Sequence, residues 1–402
     1  YEVFWLDPPA TASLTEELRL HDRMVHRLPD DLRAAVDAFD PERRGLWYTT
    51  PFVTTDEPAD GRPVTGGRPA SFLALEDKLL ADAVWDAAEV ERAPYRIVDL
   101  ADDAALDAAT AELGTGLGAV WSGDARDGFN GGGNYVRWLR DDRDRAEAAA
   151  FFRPRCDRVR VLPFLEGVPC SIHGFVLPDG TAALRPVEIV TLRDPAARTM
   201  TYAGLGTTWD PPWVDREVMR EAARGVGAHL QRDHGYRGAF GIDGVLTAGG
   251  FRPTELNTRM SAGATALSEV DRRFFVFLQA ALVAGVDTGL RATDVERLVP
   301  AMDMARVGKV VAFGEGTTGV TEETYPVTWD GQSFARTEEE TGNLFDVGAT
   351  PSGMFARVEP CAAVVPGQRL APVNAALLRF LDASYGTSFG PMEPAPDVRT
   401  VA

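Results

Sequence analysis

The alternation of apolar and polar positions is most regular between Tyr236 and Gly263, YRGAFGIDGVLTAGGFRPTELNTRMSAG, which predicts two short strands joined by a tight turn. Ala248-Gly249-Gly250 supplies residues that tolerate the turn of a three-residue hairpin loop. Such a loop sets Asp243 opposite Glu255, and the two-residue strand period brings Asn257 to the same face. Two carboxylates and an amide then converge, with Arg259 two residues further on.

The rest of the chain shows a mixed pattern. Val3-Phe4-Trp5-Leu6 reads as a strand, Ser13 to Phe39 as a helical run, and Leu46 to Thr50 as a second strand, which together suggest a small α/β unit. Asp56 to Pro69 is rich in proline, glycine and charge and reads as a boundary. A helix is predicted from Ser71 to Val90, with Lys78 inside it; a lysine in that setting ordinarily belongs to the solvated face. Ala119-Val120-Trp121 and Tyr135 to Leu139 read as strands flanking the loop Gly128-Phe129-Asn130-Gly131-Gly132-Gly133. Val159 to Gly167 reads as a strand ending in a hinge, followed by strands Ser171 to Leu177 and Ala182 to Leu192, the latter bearing Arg185 and Glu188. Helices are expected over Val214 to His234, Ala262 to Val286 and Pro372 to Ala383, with short strands and glycine turns after Leu298. The fold class is α+β, opened by the α/β unit.

Composition narrows the partners. The 402 residues carry 60 Asp and Glu against 41 Lys and Arg, a net charge of −19 that disfavours nucleic acid and anionic membranes. A small anion such as a nucleotide needs only a few local cations and stays compatible. No run of about 18 apolar residues offers a membrane span. Cys156, Cys170 and Cys361 are too scattered for a disulfide framework, which fits a reducing, cytoplasmic setting.

The chemistry-bearing residues suit a hard cation and phosphate oxygens. Mg²⁺ takes oxygen ligands and keeps waters or substrate phosphates, so few protein ligands suffice. A glycine loop between strands can lay backbone N–H groups along a phosphate chain, although a mobile hairpin loop has the same composition.

Taken in order and spacing, Lys78, the glycine loop, the LPFLEG hinge and Asp243…Glu255-x-Asn257-x-Arg259 resemble the ATP-grasp carboxylate–amine ligases across roughly 71–286. Within that superfamily the GFRPTELNTRMSAG segment is similar to the actinobacterial peptide ligases of the pheganomycin type. The resemblance implies an N-terminal unit (1–70), a glycine-loop lid (71–165), a central antiparallel sheet with metal and nucleotide (166–290) and a small β-rich C-terminal region (291–402). It implies ATP in a cleft, with Lys78 and the Asn130, Gly131, Gly132 and Gly133 loop at its phosphates and Phe164, Leu165 and Glu166 at its adenine. Asp243, Glu255 and Asn257 would hold Mg²⁺, and Arg259 would stabilise the transferring phosphoryl group. Arg185, Glu188 and Arg193 are the candidates for contact with the substrates, a small-molecule carboxylate and an amine (amino acid or peptide).

One departure is plain: Trp121 and Ser122 stand where these ligases carry a second lysine before the glycine loop, and Arg126 is the expected substitute. A degenerate nucleotide-binding module with a regulatory role is therefore the alternative to an enzyme, and a metal-dependent hydrolase ranks third. The N-terminal unit and the region after Leu298 either shape the substrate pocket or form an oligomer contact, as in a homodimer.

Overall fold

Pro29 cannot continue a helix from the preceding turn, and it divides the run after Ser13 into α1 (Leu14–Val25) and α2 (Asp30–Phe39). The computed structural model describes residues 1–124, 126, 128, 131, 133–265 and 272–399. The expected strand at Val3 to Leu6 does not form; that segment is extended coil whose Phe4 meets Phe39 and Trp47 edge-on. The first sheet is instead a short parallel pair, β1 (Trp47–Tyr48) and β2 (Val64–Thr65).

The helix expected from Ser71 to Val90 is broken. α3 (Ala70–Leu73) tightens into a 3₁₀ turn, Ala74–Glu76, and the chain then extends at Asp77 (φ −61°, ψ 119°) before α4 (Ala81–Ala87). Phe72, Leu75, Val84 and Trp85 are buried by this path, so the break aims apolar residues inward while freeing Lys78 from a helix surface.

A four-stranded antiparallel sheet forms the upper layer: β3 (Arg96–Asp99), β4 (Ala119–Gly123), β5 (Val136–Leu139) and β6 (Arg158–Pro163), in the order β3-β6-β4-β5. α5 (Asp103–Leu113) and α6 (Asp142–Phe152) cover one face, and Leu106, Trp121, Phe152 and Val161 fill the space between.

The lower layer is a large antiparallel sheet, which makes the fold a mixed α/β one. It contains β7 (Val168–Leu177), β8 (Gly180–Ala183), β9 (Val187–Asp194), β10 (Thr199–Gly206), β11 (Gly238–Thr247) and β12 (Gly250–Asn257). It continues without interruption into β13 (Gly308–Glu315), β14 (Glu323–Trp329), β15 (Phe334–Arg336), β16 (Leu344–Thr350) and β17 (Gly353–Val358), joined through β10 and β13. The C-terminal strands therefore extend the central sheet instead of forming a separate one, and β18 (Glu393–Pro394) returns to pair with β9.

Strand alternation sorts the faces. On β7, Cys170, Ile172 and Val176 join Phe240, Ile242 and Leu246 of β11 beneath α7 (Trp213–His234). Phe175, Leu177 and Ala239 meet α8 (Arg272–Val283), α9 (Ala292–Glu296) and α10 (Val299–Met304) on the opposite side. α11 (Ala371–Tyr385) covers the C-terminal strands with its own core. Among the described residues no helix is long and apolar enough to cross a membrane.

The two layers meet at Phe164 to Gly167. Gly167 holds φ +145°, and a Cβ there would stand 2.1 Å from the carbonyl oxygen of Leu246. Gly167→Ala should therefore destabilise the chain by about 1–3 kcal/mol or more, read as a lower urea midpoint at an unchanged slope. A wild-type midpoint would show that the hinge tolerates a side chain.

Candidate active site

The hairpin of β11 and β12 reaches the expected pairing by a different route. Thr247 pairs with Gly250, so the loop has two residues, Ala248 and Gly249, where three were expected. The missing residue reappears as a bulge: Gly244 pairs with Pro253 but Asp243 pairs with Glu255, leaving Thr254 as the extra residue. The bulge reverses the strand's parity. Phe251 and Leu256 both enter the core beneath α7, and Glu255 and Asn257 face the open side with Asp243.

These residues line a cavity of about 2720 Å³ between the two sheets, which the N-terminal coil and α1 also border. Asn257 Nδ2 donates to Asp243 Oδ2 at 2.9 Å, and its Oδ1 accepts from Arg259 Nη1 at 2.8 Å. Arg259 also donates to Glu76 Oε1 at 2.6 Å and lies over the Phe52 ring at 4.8 Å. Glu76 in turn accepts from the buried Arg68 at 3.1 Å. Lys78, 4% exposed, donates to Glu255 Oε1 at 2.6 Å. The break in the helix at Asp77 is what brings Glu76 to Arg259 and Lys78 to Glu255.

Burial, then the charge of Glu255, raises the Asp243 carboxyl to about 6, against hydrogen bonds from Ser171 and Asn257 that lower it. The donor set fits a divalent cation: two carboxylates face one another in register, and their mutual repulsion and desolvation are costs that a cation relieves. Asn257 already uses both ends of its amide, so in this arrangement it orients Asp243 and Arg259. Among the described residues no group of three or more His, Cys, Asp or Glu is gathered closely enough to bind a metal, so the pair depends on the amide or on ligand oxygens to complete a shell.

The glycine loop borders the same cavity through Gly131 and Gly133; Asn130 and Gly132 lie outside the described residues. Thr15 of α1 donates to the Gly131 carbonyl at 3.0 Å and accepts from Asn134 at 3.1 Å, which ties the loop to the N-terminal unit. At the hinge, the Phe164 ring stacks on Trp138 (centroids 4.2 Å apart), and Leu165 is another wall residue. Glu166 accepts from Arg193 at 2.8 Å.

The three residues expected to contact the substrates are placed differently from one another. Arg185 lies between β8 and β9, is 2% exposed, and is held by Asp303, Asp210 and the Trp209 carbonyl, away from the cavity wall. Glu188 is wholly buried and accepts from Arg369 and the Leu370 N–H, so it is a structural carboxylate. Arg193 does line the cavity, but its partner Glu166 keeps it at the hinge. Arg126, the expected substitute for the absent lysine, reaches Asp157 and the Pro154 carbonyl. Trp121 points into the upper layer's core, and only Ser122 faces the cleft.

The cation that sequence reading missed is Arg160, paired in register with Ser122 on β6. It is 1% exposed, donates to Asp82 at 2.7 Å, and reaches the carbonyl of the bulged Thr254 at 2.8 Å. His173 and Ser171 were missed as well; both are buried polar residues on the same face of β7, a signal present in the alternation Ser-Ile-His.

No protein-family model matches the sequence, and no curated protein matches it. Among solved structures, the chain is similar to a carboxyaminoimidazole ribonucleotide synthase from Aspergillus clavatus complexed with ATP (TM-score 0.46, 12% identity, 64% of this chain) and spans only 61% of that protein's length. It is similar to phosphoribosylamine–glycine ligase from Thermotoga maritima (TM-score 0.47, 16% identity, 79% of this chain and 78% of that one). D-Alanine–D-alanine ligase from Coxiella burnetii gives TM-score 0.41 and 13% identity over 64% of this chain and 72% of that one.

The raised Asp243 pKa fixes a sign. Between the ordinary carboxylate range and about pH 6 the folded chain binds this proton more tightly than the unfolded chain, so this contribution to stability falls as pH rises through that window. Mg²⁺ should accordingly raise the melting temperature more near pH 8 than near pH 5, and Asp243→Asn should flatten that difference. Equal Mg²⁺ shifts at the two pH values would remove Asp243 from any cation site.

Proposed function

We propose that the protein is an ATP-dependent carboxylate–amine ligase of the ATP-grasp kind, forming an amide or peptide bond through an acyl phosphate with release of ADP and phosphate. The observation that carries this reading is the assembly, from segments 177 residues apart, of Lys78 against Glu255 beside Asp243, Asn257 and Arg259 in a single large cleft. The narrower reading, a peptide ligase of the pheganomycin type acting on an amino acid or peptide, rests on the sequence resemblance of the GFRPTELNTRMSAG segment.

Asp243 and Glu255 would hold Mg²⁺, with Asn257 positioning Asp243. When bound, MgATP supplies the phosphoryl group that activates the carboxylate, because amide formation from free ions is uphill in water. Lys78 and Arg259 would neutralise phosphate oxygens, and Gly131 and Gly133 border the place where loop amides would cover them. The stacked Phe164 and the Leu165 backbone offer an apolar slot for a base. The closed two-layer cleft would keep water from an activated acyl group.

A degenerate nucleotide-binding role is the second reading, and Ser122 in place of a cleft lysine favours it. Arg160 counters that observation in part, since it brings a cation to the adjacent strand, though one engaged by Asp82.

ATP with Mg²⁺ should give a larger thermal shift than Mg²⁺ alone, and Glu255→Gln should abolish that gain and also lower the unliganded melting temperature, because it removes the carboxylate that pairs with the buried Lys78. Lys78→Met should weaken ATP binding by about tenfold or more and also lower stability, because it leaves the Glu255 carboxylate without its ammonium partner. The ligase reading predicts ADP release that depends on both an acid and an amine. ADP release indifferent to the second substrate, or no nucleotide-dependent shift at all, would transfer the protein to the second reading.

A further inference from the structure

The upper sheet ends at β5, and this edge carries two cations that meet no carboxylate among the described residues. Arg137 pairs in register with Trp121, which belongs to the core under α5 and α6, so Arg137 shares that helix-covered face. Its neighbours Val136 and Trp138 take the other face, where Trp138 stacks on Phe164 at the hinge. Cζ of Arg137 lies 3.7 Å from the centroid of the Phe151 ring, and Cζ of Arg155 lies 4.5 Å from the same centroid. Both arginines and Phe151 border the large cavity, which therefore reaches round the free edge of β5.

Both guanidiniums have donors to spare. Arg137 gives only Nη1, to the Asn134 and Val136 carbonyls at 2.8 and 2.7 Å, and Arg155 gives only Nη1, to the Phe151 carbonyl at 2.8 Å. Nε and Nη2 of Arg137 make no hydrogen bond among the described residues, and neither is closed off from solvent. The contrast with Arg160 and Arg185 is direct, since aspartates hold each of those. Burial, and then the Arg155 charge, lowers the Arg137 pKa, with only the Tyr135 phenol acting the other way. Contact with a ring face fixes where the two cations sit but leaves their charge uncancelled.

Charge and donor geometry set the class of ligand. Two guanidinium forks suit a phosphate monoester, which carries about −1.5 to −2 near pH 7 and takes paired N–H donors from Arg. A carboxylate or a phosphodiester brings a single charge, and the net charge of −19 disfavours a polyanion. We propose that Arg137 and Arg155 bind the phosphate monoester of a small molecule, on the opposite face of β5 from the slot beside Phe164. The site stands apart from the ligase reading. Arg137 also holds the carbonyl of Asn134, whose amide reaches Thr15 of α1, so the bound group lies where the glycine loop meets the N-terminal unit.

Calorimetric titration of methyl phosphate into the whole chain, with and without MgADP, tests this. Binding should be one to one in both conditions and should weaken as pH falls through about 6, where the monoester loses its second charge. Methyl sulfate, with the same shape and one charge, should bind about tenfold more weakly. Arg137→Gln and Arg155→Gln should each weaken methyl phosphate by about tenfold or more. Arg155 is exposed, so R155Q should keep the wild-type melting temperature within a few degrees and thereby separate loss of the site from loss of the fold. Lys78→Met should leave methyl phosphate affinity within about twofold, because Lys78 belongs to the nucleotide cleft. Binding lost in K78M but kept in R155Q places the phosphate in that cleft and overturns the proposal. Methyl sulfate binding as tightly as methyl phosphate, or a wild type that binds neither, overturns it as well. A chain that binds methyl phosphate but not MgADP counts against the ligase reading alone.

Discussion

One extra residue in a strand governs this structure. Thr254 bulges from β12, and the consequences run in three directions. Its insertion restores the pairing of Asp243 with Glu255 that a two-residue loop would otherwise have displaced by one position. It reverses the parity of β12, so that Phe251 and Leu256 can both be core residues although their offset of five positions would put them on opposite faces in a plain alternation. Its carbonyl accepts from Arg160, a residue of the other sheet, and so ties the upper layer to the lower at the edge of the cleft. Bulges of this kind re-aim side chains without altering the ladder on either side.

Around that bulge, charge is arranged more tightly than the composition suggests. A protein with net charge −19 places opposite charges in pairs at its cleft: Arg68 and Arg259 with Glu76, and Lys78 with Glu255. Asp243 is the member left most burdened, by desolvation and by Glu255 together, and it is the member for which a cation would bring most relief. The same economy explains Arg185 and Glu188. Each is deeply buried and each is matched by oppositely charged or hydrogen-bonding partners.

The helix break at Asp77 is the least obvious determinant. Local propensity favours a continuous helix from Ser71, since Leu, Ala, Glu, Asp and Lys populate the segment without glycine or proline. Burial of Phe72 and Leu75 before the break and of Val84 and Trp85 after it outweighs that preference. The path that buries those four side chains also delivers Glu76 and Lys78 to β12, so the packing of an apolar layer and the placement of two charges are one event.

The sequence by itself determined the hairpin and the pairing of Asp243 with Glu255, though not the two-residue loop and the Thr254 bulge by which that pairing arises. Each depends on near neighbours: strand period, turn residues and the short reach of a two-strand ladder. Only the tertiary structure decided which cations belong to the cleft. Arg160 and Lys78 enter it from segments far apart in the chain, and Arg185 is held away from it by Asp303 and Asp210. The reason is physical: a long charged side chain goes where burial of its neighbours and an opposite charge permit, and both are set by contacts between residues that the linear order keeps apart.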